Sequence, residues 1–167
     1  VLSIMGAEDF KDLFTDLPSG KFRYTPPGSL EDYYSFLQTL HIGIAPLQDH
    51  PFNLCRSDVK FMEYASRGVV PLCSDVGTYS RTLRDGETGL LFSNAKEMTR
   101  HLDGLANDPE LRKEIAANAF SYIERERIET DGAHARLEFY RSLPGLESGA
   151  GGLRPENLRA VPSLETK

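Results

Sequence analysis

The sequence predicts an α/β fold, a mainly parallel sheet with helices on both faces, and three observations carry that prediction. Short apolar runs recur about every twenty residues, each bounded by Gly, Pro, Asp or Ser, which suits strands buried on both faces. Segments with apolar residues at helical spacing fill most of the gaps. Strand and helix in alternation imply right-handed crossovers and parallel neighbours.

The strands expected are Val1 to Met5, Phe22 to Thr25, His41 to Pro46, Val69 to Cys73 and Leu90 to Phe92. Between the second and third, Leu30, Tyr33, Tyr34, Leu37 and Leu40 form an apolar helical stripe. Ser29 is placed to cap that helix, with Asp32 three residues on. Asp58 to Arg67 reads as a helix closed by Gly68, a common left-handed position past a helix end. Asn94 caps a segment carrying Met98, Leu102 and Leu105. Asp108-Pro109 opens the next, with Leu111, Ile115, Ala119 and Ile123 along one side. Thr130 to Leu143 reads as a last, less regular helix. This pattern is Rossmann-like. From Pro144 the composition turns to Gly and Pro without period, so 1–143 is read as the domain and 144–167 as tail or linker.

Length and composition narrow the function. A chain of 167 residues and 18.6 kDa is the size of one domain. It is 40% apolar and 26% charged, with a mean hydropathy of -0.39, which excludes a mostly disordered chain. Its longest apolar runs fall far below the roughly 20 residues that span a bilayer. Nineteen basic residues stand against 25 acidic ones, giving a net charge of -6, so binding to nucleic acid through phosphate neutralisation is not expected. Cys55 and Cys73 are too few for a disulfide scaffold or a four-thiolate zinc site and fit a reducing compartment. The chain opens on Val1 without a signal-peptide pattern and reads as a piece of a longer protein.

Several chemistries lack their residues. No Gly-rich dinucleotide fingerprint, phosphate loop or nucleophile elbow follows a strand. The Gly-Ala-Gly-Gly at 149 to 152 follows none either. No Asp-x-Asp pair offers ligands for a metal bridging a diphosphate, and His50 with Cys55 is too small a set for a metal site.

One constellation remains. After the third strand come Ala45-Pro46-Leu47, a polar loop to Arg56, and the helix opening Ser57-Asp58-Val59-Lys60-Phe61-Met62-Glu63. In an open parallel sheet ligands bind beyond the carboxyl ends of strands, where helix N-termini offer free N–H groups and a positive dipole end to a phosphate. Ser57 or Asp58 is the expected N-cap. Lys60 falls in the first turn and Glu63 on the same face at i, i+3. The lysine would screen an anionic ligand, and the carboxylate could accept two hydrogen bonds from a ribose diol. The same spacing also describes an ordinary solvated ion pair. On spacing alone the ion pair is the favoured reading; a cation in a first turn, mildly unfavourable for the dipole, is only a small hint of a ligand.

Four stretches in order resemble a known family: His41-Ile42-Gly43-Ile44-Ala45-Pro46-Leu47; Lys60-Phe61-Met62-Glu63-Tyr64-Ala65-Ser66-Arg67-Gly68-Val69-Val70-Pro71; Ser74-Asp75-Val76-Gly77; and Asp85-Gly86-Glu87-Thr88-Gly89-Leu90-Leu91-Phe92. They look like the C-terminal, nucleotide-sugar-binding domain of GT-B-fold glycosyltransferases of the retaining, family-four type (glycosyl transferases group 1). The resemblance spans about residues 1 to 143, weakening toward both ends. It implies one half of a GT-B fold, with Glu63 at the position that holds the nucleotide ribose. It also implies a hexosyltransferase-type reaction from a nucleotide-diphosphate sugar to a glycan or lipid-linked acceptor, with no cofactor and no metal. The family's other glutamate, which contacts the donor sugar, is Cys55 here, and a thiol cannot replace a carboxylate as acceptor. Sugar contacts would then fall to Arg56, Asp58, Lys60 and the backbone of residues 56 to 59. Leu47 and Gly77 would lie near the nucleotide, where a glycine admits close backbone approach. Thr25-Pro26-Pro27-Gly28 occupies the loop that approaches the base in such enzymes.

The resemblance further implies that an earlier strand-helix unit and the N-terminal, acceptor-binding domain lie outside this chain, so that the piece alone is inactive. It places the protein in the cytoplasm, with peripheral association at the inner membrane face as an added expectation. Other features read as structural: the Asp85-to-Gly89 turn, Tyr33, Tyr34 and Phe36 as packing, and Cys73 as a small core residue. The Cys55 departure keeps a second reading open, a degenerate, non-catalytic transferase module used for assembly. A receiver-type signalling domain would need acidic residues at strand ends, and the first and third strands here end in Met5-Gly6 and Pro46.

Overall fold

The computed structural model describes residues 1–143; the segment read as a tail, 144–167, lies outside the described residues. The chain divides after Arg127 into two compact units. In the second unit the described structure is one helix, Glu129–Ser142, and its Leu137, Phe139 and Tyr140 are exposed.

The first unit holds five strands, β1 (Leu2–Met5), β2 (Phe22–Thr25), β3 (Ile42–Ala45), β4 (Val70–Ser74) and β5 (Leu90–Phe92). Every pairing is parallel, as the alternation demands. The hydrogen-bonded ladders, however, form two sheets: β1 beside β2, and β3-β4-β5 with β4 central. Burial follows this division. All five residues of β4 are buried, whereas β1 is half-buried throughout. Full burial on both faces thus holds for the central strand and not for the amino-terminal pair.

The helices are α1 (Asp9–Asp12), α2 (Leu30–Leu37), α3 (Pro51–Leu54), α4 (Val59–Ala65), α5 (Thr78–Thr82), α6 (Ala95–Asn107), α7 (Pro109–Glu126) and α8 (Glu129–Ser142). Side chains close three N-termini as expected. Ser29 and Asp32 make a reciprocal capping box on α2, Asn94 Oδ1 accepts the Glu97 N–H, and Asp108 Oδ1 accepts the Leu111 N–H. The start of α4 differs: Asp58 stands at the N-cap, but its carboxylate caps nothing. Helix α4 also ends at Ala65, two residues before the expected Arg67, with Gly68 turned to φ +69° beyond it.

Residues alternate across the β3-β4-β5 sheet and serve a core on each face. Ala45, Cys73 and Leu91 pack with Phe61, Tyr64 and Ala65 of α4, with Tyr79 of α5 and with Ala119 of α7. Ile42, Val70 and Leu90 pack with Leu105 of α6 and with Leu111 and Ile115 of α7. Gly43 lets α4 lie close to β3. A Cβ there would sit 2.5 Å from the Tyr64 ring, and the Tyr64 hydroxyl donates to the Ile44 carbonyl at 3.1 Å. This contact holds α4 beside the carboxyl end of the sheet.

Candidate functional site

The carboxyl ends of β3 and β4 are tied together where their loops leave the sheet. The Leu47 N–H donates to Ser74 Oγ at 2.7 Å. The loop after β3 then folds into α3, a single turn with Pro51 at its start and His50 Nδ1 accepting the Phe52 N–H. Asn53 Nδ2 donates back to the Gln48 carbonyl at 2.8 Å. The Thr78 hydroxyl of α5 donates to the Arg56 carbonyl, fastening the loop to the next strand's helix. Gly77 serves this junction. Its φ is +60°, and a Cβ would come within 3.1 Å of the Asn53 carbonyl oxygen. The close approach at Gly77 is thus to the chain's own loop.

From this loop the chain enters α4, whose polar side chains diverge. Asp58 turns inward, with its side chain 5% exposed, and meets Arg127 beyond the end of α7. Arg127 Nη1 donates to Oδ2 at 2.6 Å and Nη2 to Oδ1 at 2.9 Å, a bidentate pair, and Nη2 also reaches Met62 Sδ at 3.1 Å. Burial alone would raise the Asp58 carboxyl, but the hydrogen bonds and charge of Arg127 outweigh it and hold the group below its usual range. The carboxylate is turned toward Arg127 and makes no N-cap bond.

Lys60 and Glu63 lie together, as their spacing predicts, and a third group joins them. Lys60 Nζ donates to Glu63 Oε2 at 2.7 Å, and the Tyr33 hydroxyl of α2 donates to the same oxygen at 2.7 Å. Lys60 Nζ also donates to the Tyr33 oxygen at 2.7 Å and lies 4.6 Å from the centre of its ring. Burial, reinforced by the hydrogen bond and charge of Glu63, pushes the Tyr33 phenol well above its usual 10 and keeps it protonated as a donor. Glu63 Oε1 takes no protein donor among the described residues, and it is not among the buried unpartnered atoms. With side-chain exposures of 44% for Lys60 and 20% for Glu63, this cluster remains open to solvent.

Of the predicted residues, Lys60 and Glu63 therefore share one face, while Asp58 is directed to Arg127. Ser57 and Arg56 are exposed in the loop, the Arg56 guanidinium lying 5.9 Å from the centre of the Phe52 ring. The Leu47 side chain packs on the core beside β3. Cys55 is exposed as well. Tyr33 and Arg127 are the residues that the structure adds to these two groups. Tyr33 reads in sequence as packing, and Arg127 carries no local signal, because each finds its partner only through tertiary contact.

The described residues hold no group of three or more His, Cys, Asp or Glu able to bind a metal ion, and no helix among them is long and apolar enough to cross a membrane. A family model described as glycosyl transferase-like matches residues 2–138. No curated protein matches the chain. Among solved structures, the C-terminal domain of the group 1 glycosyl transferase LpcC from Francisella tularensis is similar at 17% identity and a TM-score of 0.56, over 71% of this chain and 58% of that one. Anabaena HepE, solved with UDP-glucose, is similar at 15% identity and a TM-score of 0.66, over 84% of this chain and 40% of that one. WaaG, a glycosyltransferase involved in lipopolysaccharide biosynthesis, is similar at 15% identity and 0.64, over 81% and 36%. The chain thus spans less than two thirds of each of these solved chains, and at such identities the likeness shows a shared fold.

Proposed function

Since this chain belongs to the glycosyl transferase-like family, we propose that it is the donor-binding part of a glycosyltransferase that moves a sugar from a nucleotide diphosphate to a glycan or lipid-linked acceptor. The observation that carries this reading is the Lys60–Glu63 pair beside the carboxyl end of the parallel sheet, with one carboxylate oxygen held and the other open. A ribose diol offers two donors to such a carboxylate. Lys60 keeps a third N–H free of Glu63 and Tyr33, and its charge opposes that of a diphosphate. In transfer, the sugar–oxygen bond breaks and negative charge gathers on the leaving diphosphate. Lys60, with Arg56 and Ser57 exposed in the adjoining loop, would stabilise that charge without a metal. Asp58 serves this scheme indirectly, by fixing the start of α4 through Arg127. Leu47 and Gly77 shape the loops around the nucleotide. Sugar transfer itself requires an acceptor site, and the longer solved relatives have the length to supply one.

Calorimetric titration of UDP, GDP and ADP tests the reading. One nucleotide should bind with a dissociation constant of about 10⁻⁴ M. Glu63→Ala should weaken that binding about tenfold, and unchanged affinity would remove the ribose role. Cys55 favours a second reading, a non-catalytic module retained for assembly, because no carboxylate stands where the family resemblance puts the sugar's acceptor group. Absence of both transfer and hydrolysis of every nucleotide sugar by the full-length protein would favour it.

A further inference from the structure

We propose that Tyr33 is a positioning residue that pins the Glu63 carboxylate for a ribose, and so sets the preference for ribo- over 2′-deoxyribonucleotides; this rests on the donor-binding reading above. A glutamate at i, i+3 from a lysine on a solvated helix face swings freely between rotamers. Here it does not. Oε2 receives two donors of different origin, the Lys60 ammonium from its own helix and the Tyr33 phenol from α2, each at 2.7 Å. Two donors converging on one oxygen fix the plane of the carboxylate and leave Oε1 open.

Tyr33 is itself well held. It sits one turn inside the capped N-terminus of α2, its ring lies 5.9 Å from that of Tyr34, and its oxygen accepts from Lys60. The phenol donates to Glu63 while its oxygen accepts a second of the three ammonium protons, so tyrosine and glutamate are both served by Lys60. A ligand hydroxyl arriving at Oε1 would meet a carboxylate already oriented, so less ordering entropy is lost on binding. The benefit exists only for a ligand that carries the hydroxyl. That is what separates positioning from general support of the fold.

The experiment titrates a ribonucleoside diphosphate and its 2′-deoxy counterpart into the parent chain, Tyr33→Phe, Glu63→Gln and the double variant. Phe keeps the ring, its packing and its face toward the Lys60 ammonium, and removes the hydroxyl with its bonds to Glu63 and Lys60. The parent should prefer the ribonucleotide. Tyr33→Phe should bind it about three- to tenfold more weakly while changing the deoxynucleotide by less than about twofold. In the Glu63→Gln background, Tyr33→Phe should leave the ratio of the two affinities unchanged. Because the ratio is read within one protein, partial unfolding cancels from it. Equal weakening of both ligands makes Tyr33 structural and overturns the proposal. Tighter ribonucleotide binding by Tyr33→Phe means that the hydroxyl blocks the site, and also overturns it. If Glu63→Gln abolishes the preference and Tyr33→Phe does not, the ribose reading survives and the Tyr33 role alone fails. A parent with no preference removes both.

Discussion

Arg127 grips Asp58 with both terminal nitrogens, tying the residue that ends the first compact unit to the N-cap residue of α4, 69 positions earlier. The Asp58 side chain is 5% exposed and that of Arg127 25%, and Arg127 is the main group that offsets the hydration the carboxylate has lost. Arg127→Met should destabilise the unit by about 2–4 kcal/mol, somewhat less than for a fully buried pair because the guanidinium keeps some water. Asp58→Asn combined with Arg127→Met should recover part of the loss, since no uncompensated charge then remains. Urea unfolding of the parent, the single variants and the double variant measures the coupling. A cost near that of a surface pair, below about 1 kcal/mol, would show the pair to be solvated.

The same pair fixes a pH dependence. Arg127 holds the Asp58 carboxyl below its ordinary 3.8, so the folded chain binds this proton less readily than the unfolded one. The stabilisation is fully present above about pH 5 and fades as pH falls through the lower folded value. Thermal melting of the parent and Asp58→Asn from neutral pH downward should show a gap that is constant above about pH 5 and closes in acid. A gap that stays constant throughout assigns the acid sensitivity to other carboxylates.

These contacts mark where the sequence stops being informative. Strands and long helices are legible because their signals are local. Val69 to Cys73 is an unbroken apolar run, Ser29 and Asp32 lie three residues apart, and Pro109 follows its own cap. The one-turn helices α1, α3 and α5 are too short to show an apolar period. The separation of β1-β2 from β3-β4-β5 is a matter of ladder partners, which residue order does not encode. Lys60 and Glu63 are readable as a pair from spacing alone, whereas Tyr33 joins them from 30 residues before Glu63. Asp58 looks like a cap in sequence because nothing nearby announces a competing arginine.

Two glycines should respond to alanine in opposite directions. At Gly43 the added Cβ meets the Tyr64 ring at 2.5 Å, and the ring is held by its hydroxyl on the Ile44 carbonyl. Gly43→Ala must push α4 from β3, at a cost of about 1–3 kcal/mol. At Gly104, inside α6, an added Cβ meets nothing within 4 Å. Gly104→Ala should therefore stabilise the chain by about 0.5–1 kcal/mol through the reduced entropy of the unfolded state. Chemical denaturation reads both signs. If Gly43→Ala is neutral, the contact between strand and helix is looser than the geometry states.

The two cysteines turn the Asp58–Arg127 linkage into a rate. Cys55 is exposed in the loop before α4, whereas Cys73 is fully buried in β4. Burial, aided by the nearby Asp58 charge, pushes the Cys73 thiol up to about 12, so at neutral pH almost no thiolate exists to react. A thiol-specific disulfide reagent should label one cysteine promptly in the native protein and the second only when the β3-β4-β5 core opens. When opening and closing are fast relative to labelling, the second rate follows the stability of that core. Arg127→Met should then speed Cys73 labelling by about 30- to 1000-fold, the factor corresponding to the destabilisation argued above, while leaving Cys55 unchanged. Prompt labelling of both cysteines in the parent would mean that β4 is not sealed, and the linkage would lose its premise. An unchanged Cys73 rate in the variant, alongside a measured loss of stability, would place the opening that exposes β4 outside the part of the fold the pair supports.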